Sequence, residues 1–287
     1  INSASLSTGF SREQPLMARL KKTTRGKQKA RRQFLRTVVL GVGVVGASLL
    51  GYIPVIGRWR ERVRPPGALK EHEFLSSCIK CGQCVQVCPV NAIKLADMDE
   101  GFGIGAPYID TRQQACDFSC DGLQCVLACP TGALTHHINY SHETEMAIAR
   151  VVNEKQCLAM MGEGFNGPAR GVAFKGKLRY EDVDRWNPIR ISEYPYELEL
   201  CDLCVRQCPI EIRIAQCEAG KPPSGDENQC PPQHAIKLET IASEDGIVRK
   251  RPVILEGCVG CGVCEMICPP EPAVIVMDST ESRGMTV

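Results

Sequence analysis

Eighteen cysteines dominate the chemistry available to this 287-residue chain. Two runs, Cys78–Pro89 and Cys258–Pro269, share the spacing Cys-x2-Cys-x2-Cys-x3-Cys-Pro. In this spacing three thiolates hold one [4Fe–4S] cluster and the fourth thiolate reaches a second cluster. A zinc site needs only paired Cys-x2-Cys units, so zinc leaves the fourth cysteine unexplained. The two runs therefore predict iron–sulfur clusters.

Two further cysteine groups lie between these runs. One is Cys116-x3-Cys120-x4-Cys125-x3-Cys129-Pro130. The other, Cys201-x2-Cys204-x3-Cys208-Pro209, is one cysteine short. Its missing first ligand is Cys157, Cys217 or Cys230, and we favour Cys157 because a first ligand lies upstream.

The crossing ligand of the short group has two candidates. Cys230-Pro-Pro-Gln-His-Ala-Ile-Lys-Leu echoes Cys88-Pro-Val-Asn-Ala-Ile-Lys-Leu, so Cys230 competes with Cys208 for this role. We favour Cys208 because the x3 spacing from Cys204 is kept there.

Because the fourth cysteine of a run crosses over, the groups are expected to work in pairs and to hold four [4Fe–4S] clusters. The predicted ligand sets are site 1 (Cys78, Cys81, Cys84 and Cys129), site 2 (Cys116, Cys120, Cys125 and Cys88), site 3 (Cys157, Cys201, Cys204 and Cys268) and site 4 (Cys258, Cys261, Cys264 and Cys208). Cys217 and Cys230 remain, and we predict a disulfide between them, with their Cα atoms within about 7 Å.

Positioning these loops requires short, compact elements. We expect an α+β fold of two tandem ferredoxin-like two-cluster units, residues 65–150 and 151–287, preceded by one transmembrane helix. A short helix is expected after each crossing cysteine. Strands are then predicted at Ala92–Leu95 and Ala273–Met277, where apolar and β-branched residues cluster. Pro65-Pro66-Gly67 is predicted to mark the start of the folded body.

The N-terminal segment, residues 1–64, carries a membrane signal. Thr37–Gly57 is an uncharged run of 21 residues, about the ~20 that a helix needs to cross a bilayer. Arg31-Arg32-Gln-Phe34-Leu35 before it resembles a twin-arginine export signal. No small-residue cleavage site follows the apolar run. We therefore expect an uncleaved inner-membrane anchor, with the N-terminus cytoplasmic and the folded body in the periplasm.

Charge is distributed unevenly along the chain. Residues 1–64 hold 14 Lys and Arg against two Glu, whereas residues 65–287 hold 20 Lys and Arg against 31 Asp and Glu. A body with a net charge of −11 argues against nucleic-acid binding, which requires a basic surface. The excess of basic residues in the N-terminal segment indicates that this segment stays on the cytoplasmic side of a lipid bilayer.

Several of these motifs together resemble the NapG/MauM family of periplasmic ferredoxin-type proteins. They are Arg31-Arg32, Arg64-Pro-Pro-Gly-Ala68, Cys78–Pro89, Pro130-Thr-Gly-Ala-Leu134, Cys157-Leu158 and Cys201–Pro209. The resemblance implies four [4Fe–4S] clusters and a membrane partner that takes electrons from quinol. The chain departs from the family pattern in the x3 spacing after Cys116 and in the insertion that carries Cys217 and Cys230.

These features predict a membrane-anchored electron carrier with no catalytic residues of its own. Its expected partners are a quinol-oxidising membrane subunit and a c-type cytochrome or periplasmic reductase. A structural or docking subunit of a respiratory complex is the alternative. A radical enzyme is disfavoured, because it needs an iron left open by three ligands, and each cluster here has four.

Overall fold

The computed structural model describes residues 16–57, 62–97, 103–120, 122–180, 182–184, 186–241 and 246–280. Residues 1–57 and 58–287 form two separate compact units. The first unit contains helix α1, Leu16–Gly57, which includes the helix predicted over residues 37–57. Within it Lys29–Leu49 is long and apolar enough to cross a membrane, with a mean hydropathy of 1.2. By length and composition, α1 is a candidate membrane anchor or signal.

The second unit is built from short elements around the cysteine loops. Its described helices are α2 (Glu71–Ser77), α3 (Gln83–Gln86), α4 (Gln124–Leu127), α5 (Leu158–Met161), α6 (Leu203–Arg206), α7 (Pro209–Glu218) and α8 (Val263–Ile267). Single 3₁₀ turns lie at Ser141–Glu143, Glu154–Gln156, Ile191–Glu193, Pro223–Gly225 and Glu227–Gln229.

Ten described strands form five antiparallel pairs. They are β1 (Ile93–Leu95) with β2 (Pro107–Ile109), β3 (Ile148–Val151) with β10 (Ile275–Asp278), β4 (Phe165–Gly167) with β7 (Tyr196–Leu198), β5 (Lys177–Leu178) with β6 (Ile189–Arg190), and β8 (Ile236–Ile241) with β9 (Arg249–Ile254). β1 and β10 lie where the apolar runs after the Cys-Pro turns predicted strands, so both predictions are confirmed.

The two cysteine-rich halves share one core rather than meeting at a linker. β3 pairs with β10 in the register Ile148 to Asp278 and Val151 to Ile275, so the predicted division after residue 150 falls inside a strand. Phe74, Phe118 and Met266 are at most 2% exposed and belong to one continuous hydrophobic cluster. Apolar burial of this kind is the main force that holds the halves together.

The body also begins before the predicted Pro65-Pro66-Gly67 boundary. Val63 already pairs with Ile109, and buried Arg64 forms an ion pair with Glu71 at 2.6 Å. Arg64 Nη1 also donates to the carbonyl of Pro107 at 2.8 Å. These contacts give the buried guanidinium the partners that burial requires.

The predicted position of the short helices was wrong for three of the four crossing cysteines. α3, α4, α6 and α8 lie before the crossing cysteines, and of these cysteines only Cys208 is followed by a helix, α7. The x3 spacing before a crossing cysteine is long enough for one helical turn. After the cysteine, proline disfavours continuation of that helix at the preceding residue.

Candidate iron–sulfur sites

The loops of sites 1 and 4 curl because residues on both sides of the second cysteine have positive φ. In site 1 these are Lys80 (58°) and Gly82 (74°), and in site 4 they are Gly260 (71°) and Gly262 (86°). Glycine adopts this left-handed conformation without strain, whereas the side chain of Lys80 makes the same conformation strained. Gly82 and Gly262 are the N-cap residues of α3 and α8, which carry the third cysteines of the two runs.

Three crossing cysteines accept hydrogen bonds from backbone N–H groups just after the Cys-Pro turn. Ala92 N lies 3.3 Å from Cys88 Sγ, Leu134 N lies 3.4 Å from Cys129 Sγ, and Val274 N lies 3.4 Å from Cys268 Sγ. Such donors stabilise negative charge on sulfur and tune the reduction potential of a bound cluster. The sequence analysis did not identify these donors, because their position depends on the backbone turn.

Buried thiols of each predicted set have other cysteines of the same set among their charged neighbours. Burial and the negative charges of Cys78, Cys81 and Cys129 raise the pKa of Cys84 to about 11. In site 2, burial and the charges of Cys120, Cys125 and Cys88 raise the pKa of Cys116. In site 3, burial and the charges of Cys201, Cys157 and Cys268 raise the pKa of Cys204. In site 4, burial and the charges of Cys261, Cys258 and Cys208 raise the pKa of Cys264.

Three of these sets line cavities. Cys157, Cys201, Cys204 and Cys268 line one cavity, and the cysteines of site 1 and of site 4 each line another. Within the described ranges, no group of three or more His, Cys, Asp or Glu side chains is arranged to hold a single metal ion. A space lined by four cysteines is the setting that an iron–sulfur cluster requires.

The chemistry of these sites fits such a cofactor. Thiolate, not thiol, is the metal ligand, and four thiolates in a buried space repel one another. Burial raises the pKa of Cys201 to about 11 and of Cys208 to about 12, so these thiols are protonated near neutral pH without a cation. Iron supplies the positive charge that allows all four to ionise. When bound, an iron–sulfur cluster accepts and releases single electrons.

The sites are arranged with sites 2 and 4 at the contact between the halves. α3 packs against α4, which brings site 1 beside site 2, and α6 packs against α8, which brings site 3 beside site 4. Ala115 N, next to Cys116, donates to Met266 Sδ at 3.2 Å, and Met266 lies two residues after Cys264. The contacts therefore follow the order site 1, site 2, site 4, site 3.

The structure separates the roles of Cys208 and Cys230. Cys208 is buried and lines the cavity of site 4, whereas Cys230 forms a disulfide with Cys217, with a Cα–Cα distance of 5.9 Å. Cys157 lines the cavity of site 3 with the cysteines of the short group. The assignment of Cys157 and Cys208 as cluster ligands stays a prediction.

Polar contacts that sequence reasoning missed join the halves beside sites 3 and 4. Thr111 Oγ1 donates to buried Glu265 at 2.8 Å, and Met277 N donates to the same carboxylate oxygen at 2.9 Å. Arg112 Nη1 donates to the carbonyl of Cys268 at 3.0 Å, and Arg112 Nη2 forms an ion pair with Glu271 at 2.9 Å. Only the tertiary structure brings residue 112 to residues more than 150 positions away.

Comparisons with known proteins identify the class of this protein. A family model described as a 4Fe-4S dicluster domain matches residues 77–133, which contain all eight cysteines of sites 1 and 2. A 4Fe-4S binding domain model matches residues 255–278, which contain the run Cys258–Pro269. No solved structure gives a significant match. Together with the cysteine sites, these matches show a ferredoxin-type iron–sulfur protein, a class that transfers electrons.

Similar proteins identify the family. The chain is 31% identical to the ferredoxin-type protein NapG of Escherichia coli (strain K12), over 90% of this chain and 89% of the relative. It is 28% identical to the methylamine utilization ferredoxin-type protein MauM of Methylorubrum extorquens, over 84% and 86%. MauM of Paracoccus denitrificans is 30% identical over 85% of both chains. This chain belongs to the NapG/MauM family of ferredoxin-type proteins.

Proposed function

We propose that this chain is a membrane-anchored electron relay with four [4Fe–4S] clusters, one in each of sites 1 to 4. The observation that carries the proposal is that three of the four predicted sets each line one cavity with all four of their cysteines, drawn from two separate segments in sites 1 and 4 and from three in site 3. Each set supplies the four thiolates that a [4Fe–4S] cluster needs. Residues 65–150 and 151–287 would each contribute all the ligands of two clusters, as tandem units within one body.

The proposed relay carries electrons from a quinol-oxidising membrane subunit to a periplasmic acceptor, either a c-type cytochrome or a reductase. Helix α1 supports attachment to the inner membrane, and the basic residues before its apolar run support a cytoplasmic N-terminus. Family membership supports the ferredoxin-type role. The protein's own contribution is to space the clusters and set their potentials, while the clusters exchange the electrons.

Metal analysis and a redox titration of the full chain, purified in detergent without air, test the proposal. We expect about 16 iron per chain, four per site, and clusters that are reduced and reoxidised reversibly. Bound zinc, or iron centres that never change oxidation state, would contradict the relay. The second result would favour the structural alternative.

The partners are tested by purifying the intact membrane complex and identifying each subunit. A quinol analogue is expected to reduce the clusters in that complex but not in the isolated chain, because the chain has no proposed quinol site. Reduction of the isolated chain at the same rate would contradict the need for a quinol-oxidising partner.

A further inference from the structure

The disulfide between Cys217 and Cys230 joins two chain segments that lead to site 4. Cys217 lies in the last turn of α7, and Cys208, a predicted ligand of site 4, is the residue just before that helix. Cys230 follows the 3₁₀ turn Glu227–Gln229 and lies shortly before β8. The bridge therefore connects the far end of the helix that starts at site 4 with the chain that returns to it.

Both connected segments line the cavity of site 4. The first segment contributes Cys208, Pro209 and Ile210, and the second contributes Ala235 and Ile236. Cys217 and Cys230 are bonded to each other, so neither sulfur is available to bind iron. The bridge thus holds two lining segments of the cavity without supplying a ligand.

A carboxylate also connects these two segments, close to the cavity. Glu211, in the first turn of α7, accepts hydrogen bonds from Ala235 N at 2.7 Å and from Ile236 N at 3.1 Å. Water can replace such hydrogen bonds when a segment opens locally, whereas it cannot replace a sulfur–sulfur bond. The disulfide is the covalent restraint on the separation of the two segments.

The second segment also contacts the loop that carries the other predicted ligands of site 4. Leu255 N donates to the carbonyl of Ala235 at 2.9 Å, and Gly257 N donates to the carbonyl of His234 at 3.2 Å. Gly257 immediately precedes Cys258, the first ligand of that loop. The chain from the bridge to β8 is therefore in contact with both parts of the predicted ligand set.

We propose that the Cys217–Cys230 bridge is a redox-controlled clasp that retains the iron–sulfur cluster of site 4. This inference rests on the proposed function. While both cysteines are thiols, the two lining segments are free to separate and admit a cluster. On oxidation each thiol loses one proton and one electron, an S–S bond forms, and a disulfide-donating protein takes up the two electrons and two protons. The closed loop then restricts the local opening through which a cluster leaves.

The test measures iron release to a ferrous chelator from the full chain, purified with its clusters in detergent without air. The unchanged protein is compared with the double variant Cys217→Ser with Cys230→Ser. Both are expected to begin with the same iron content, and about four of about 16 iron atoms should leave the double variant about tenfold faster. Equal rates in the two proteins, or faster release of all the iron, would overturn the inference.

The site of the fast release is identified in a protein that also carries Cys208→Ser. This change removes a predicted ligand of site 4, so the cluster held by the clasp is already absent. Loss of the bridge is then expected to produce no fast release. If the fast release persists in the triple variant, the bridge acts on another site and the inference is wrong.

Reduction of the assembled protein keeps the inference testable if the double variant does not fold. Dithiothreitol, a dithiol, returns two electrons and two protons to the bridge, and alkylation of the freed thiols followed by mass spectrometry verifies the opening. The opened protein is expected to show the same fast release. Slow release from protein with verified free thiols at Cys217 and Cys230 would contradict the clasp.

Asn228→Ala is the matched control from the same insertion. The Asn228 side chain donates to Asp226 at 2.9 Å, and its removal leaves the bridge in place. Release as slow as that of the unchanged protein is expected. Release as fast as in the double variant would show that the insertion, rather than the bridge, retains the iron.

Hydrogen exchange provides a readout that does not depend on iron. Ile212 N donates to the carbonyl of Cys208 at 3.0 Å, and we expect this amide and that of Ile236 to exchange faster once the bridge is open. The amides of the β3–β10 pair should be unaffected, and unchanged exchange in α7 would overturn the inference. If the unchanged protein holds no iron, the proposed function itself fails, which differs from equal rates of iron release.

Discussion

At the scale of single residues, burial keeps most thiols of the four sites protonated unless a cation is bound beside them. Burial raises the pKa of most of the sixteen site cysteines, whereas hydrogen bonds from Leu134 and Thr131 lower the pKa of Cys129. Cys81 is the exposed member among them, so site 1 is the site most open to solvent. Because exposure is one of the factors that set cluster potentials, the clusters are expected to differ in potential.

Replacing Cys208 tests the choice between the two crossing candidates. Cys208→Ser is expected to lose one cluster, about four of about 16 iron atoms per chain, because site 4 loses a buried thiolate. The control is the double variant Cys217→Ser with Cys230→Ser, which removes the disulfide and should keep all the iron. Iron analysis of both proteins is the measurement. Loss of iron only from the double variant would assign the crossing role to Cys230.

At the scale of elements, one turn of helix and one left-handed residue recur beside the cysteines. Gly82 and Gly262 are the N-cap residues of α3 and α8, and Leu123, with φ of 49°, is the N-cap residue of α4. The x3 spacing is the sequence signature of that helical turn, and it was present in all four groups. The side of the crossing cysteine on which the helix lies was predicted wrongly for three of the four groups, because spacing alone does not show where the chain reverses.

Gly260→Ala tests how closely the loop of site 4 packs against the other half. Gly260 has φ of 71°, and an added Cβ would overlap the carbonyl of Ala147. We expect a loss of about 3 kcal/mol or more, since both strain and overlap oppose the native loop. The measurement is the temperature at which the visible absorption of the clusters disappears.

Gly220→Ala provides the control for this prediction. Gly220 has φ of 70° but nothing within 4 Å of an added Cβ. Only the left-handed backbone is penalised there, which costs about 1 kcal/mol. Equal losses of stability in the two variants would show that the contact with Ala147 is unimportant.

At the scale of the whole molecule, the two halves form one body in which the sites follow a path. The β3–β10 pair and the contacts of Arg112 and Thr111 hold the halves in one arrangement. This arrangement places sites 2 and 4 at the centre and sites 1 and 3 at the ends. Electron transfer depends on such spacing, so the rigid contact between the halves is part of the proposed relay.

Export is tested by replacing the paired arginines of the N-terminal segment. Arg31→Lys with Arg32→Lys keeps the positive charge, so the basic excess before the apolar run is unchanged. If this pair is a twin-arginine signal, the chain should accumulate in the cytoplasm with its clusters assembled. Cell fractionation with immunoblotting measures the location. Arg19→Lys is the control, and unimpaired export of the double variant would exclude the twin-arginine route.

The sequence by itself determined the kind of cofactor and predicted the ligand grouping. Cys-x-x-Cys spacing is local, and a short loop can present its thiols to one cluster whatever the rest of the chain does. The apolar runs after Cys88 and Cys268 likewise indicated β1 and β10. The pairing of the cysteine groups into two halves was also predictable in outline. The fourth cysteine of a group reaches the cluster of a second group, and the paired groups lie near each other along the chain.

Tertiary structure decided how the halves meet. Arg112 and Glu265 carry no motif, and their roles come from partners that are distant along the chain and are brought close only by folding. The structure also brings Cys230 close enough to Cys217 to form a disulfide, while the assignment of Cys208 to site 4 stays a prediction. Long-range contacts arise from the packing of a shared core, and a spacing pattern holds no information about that packing.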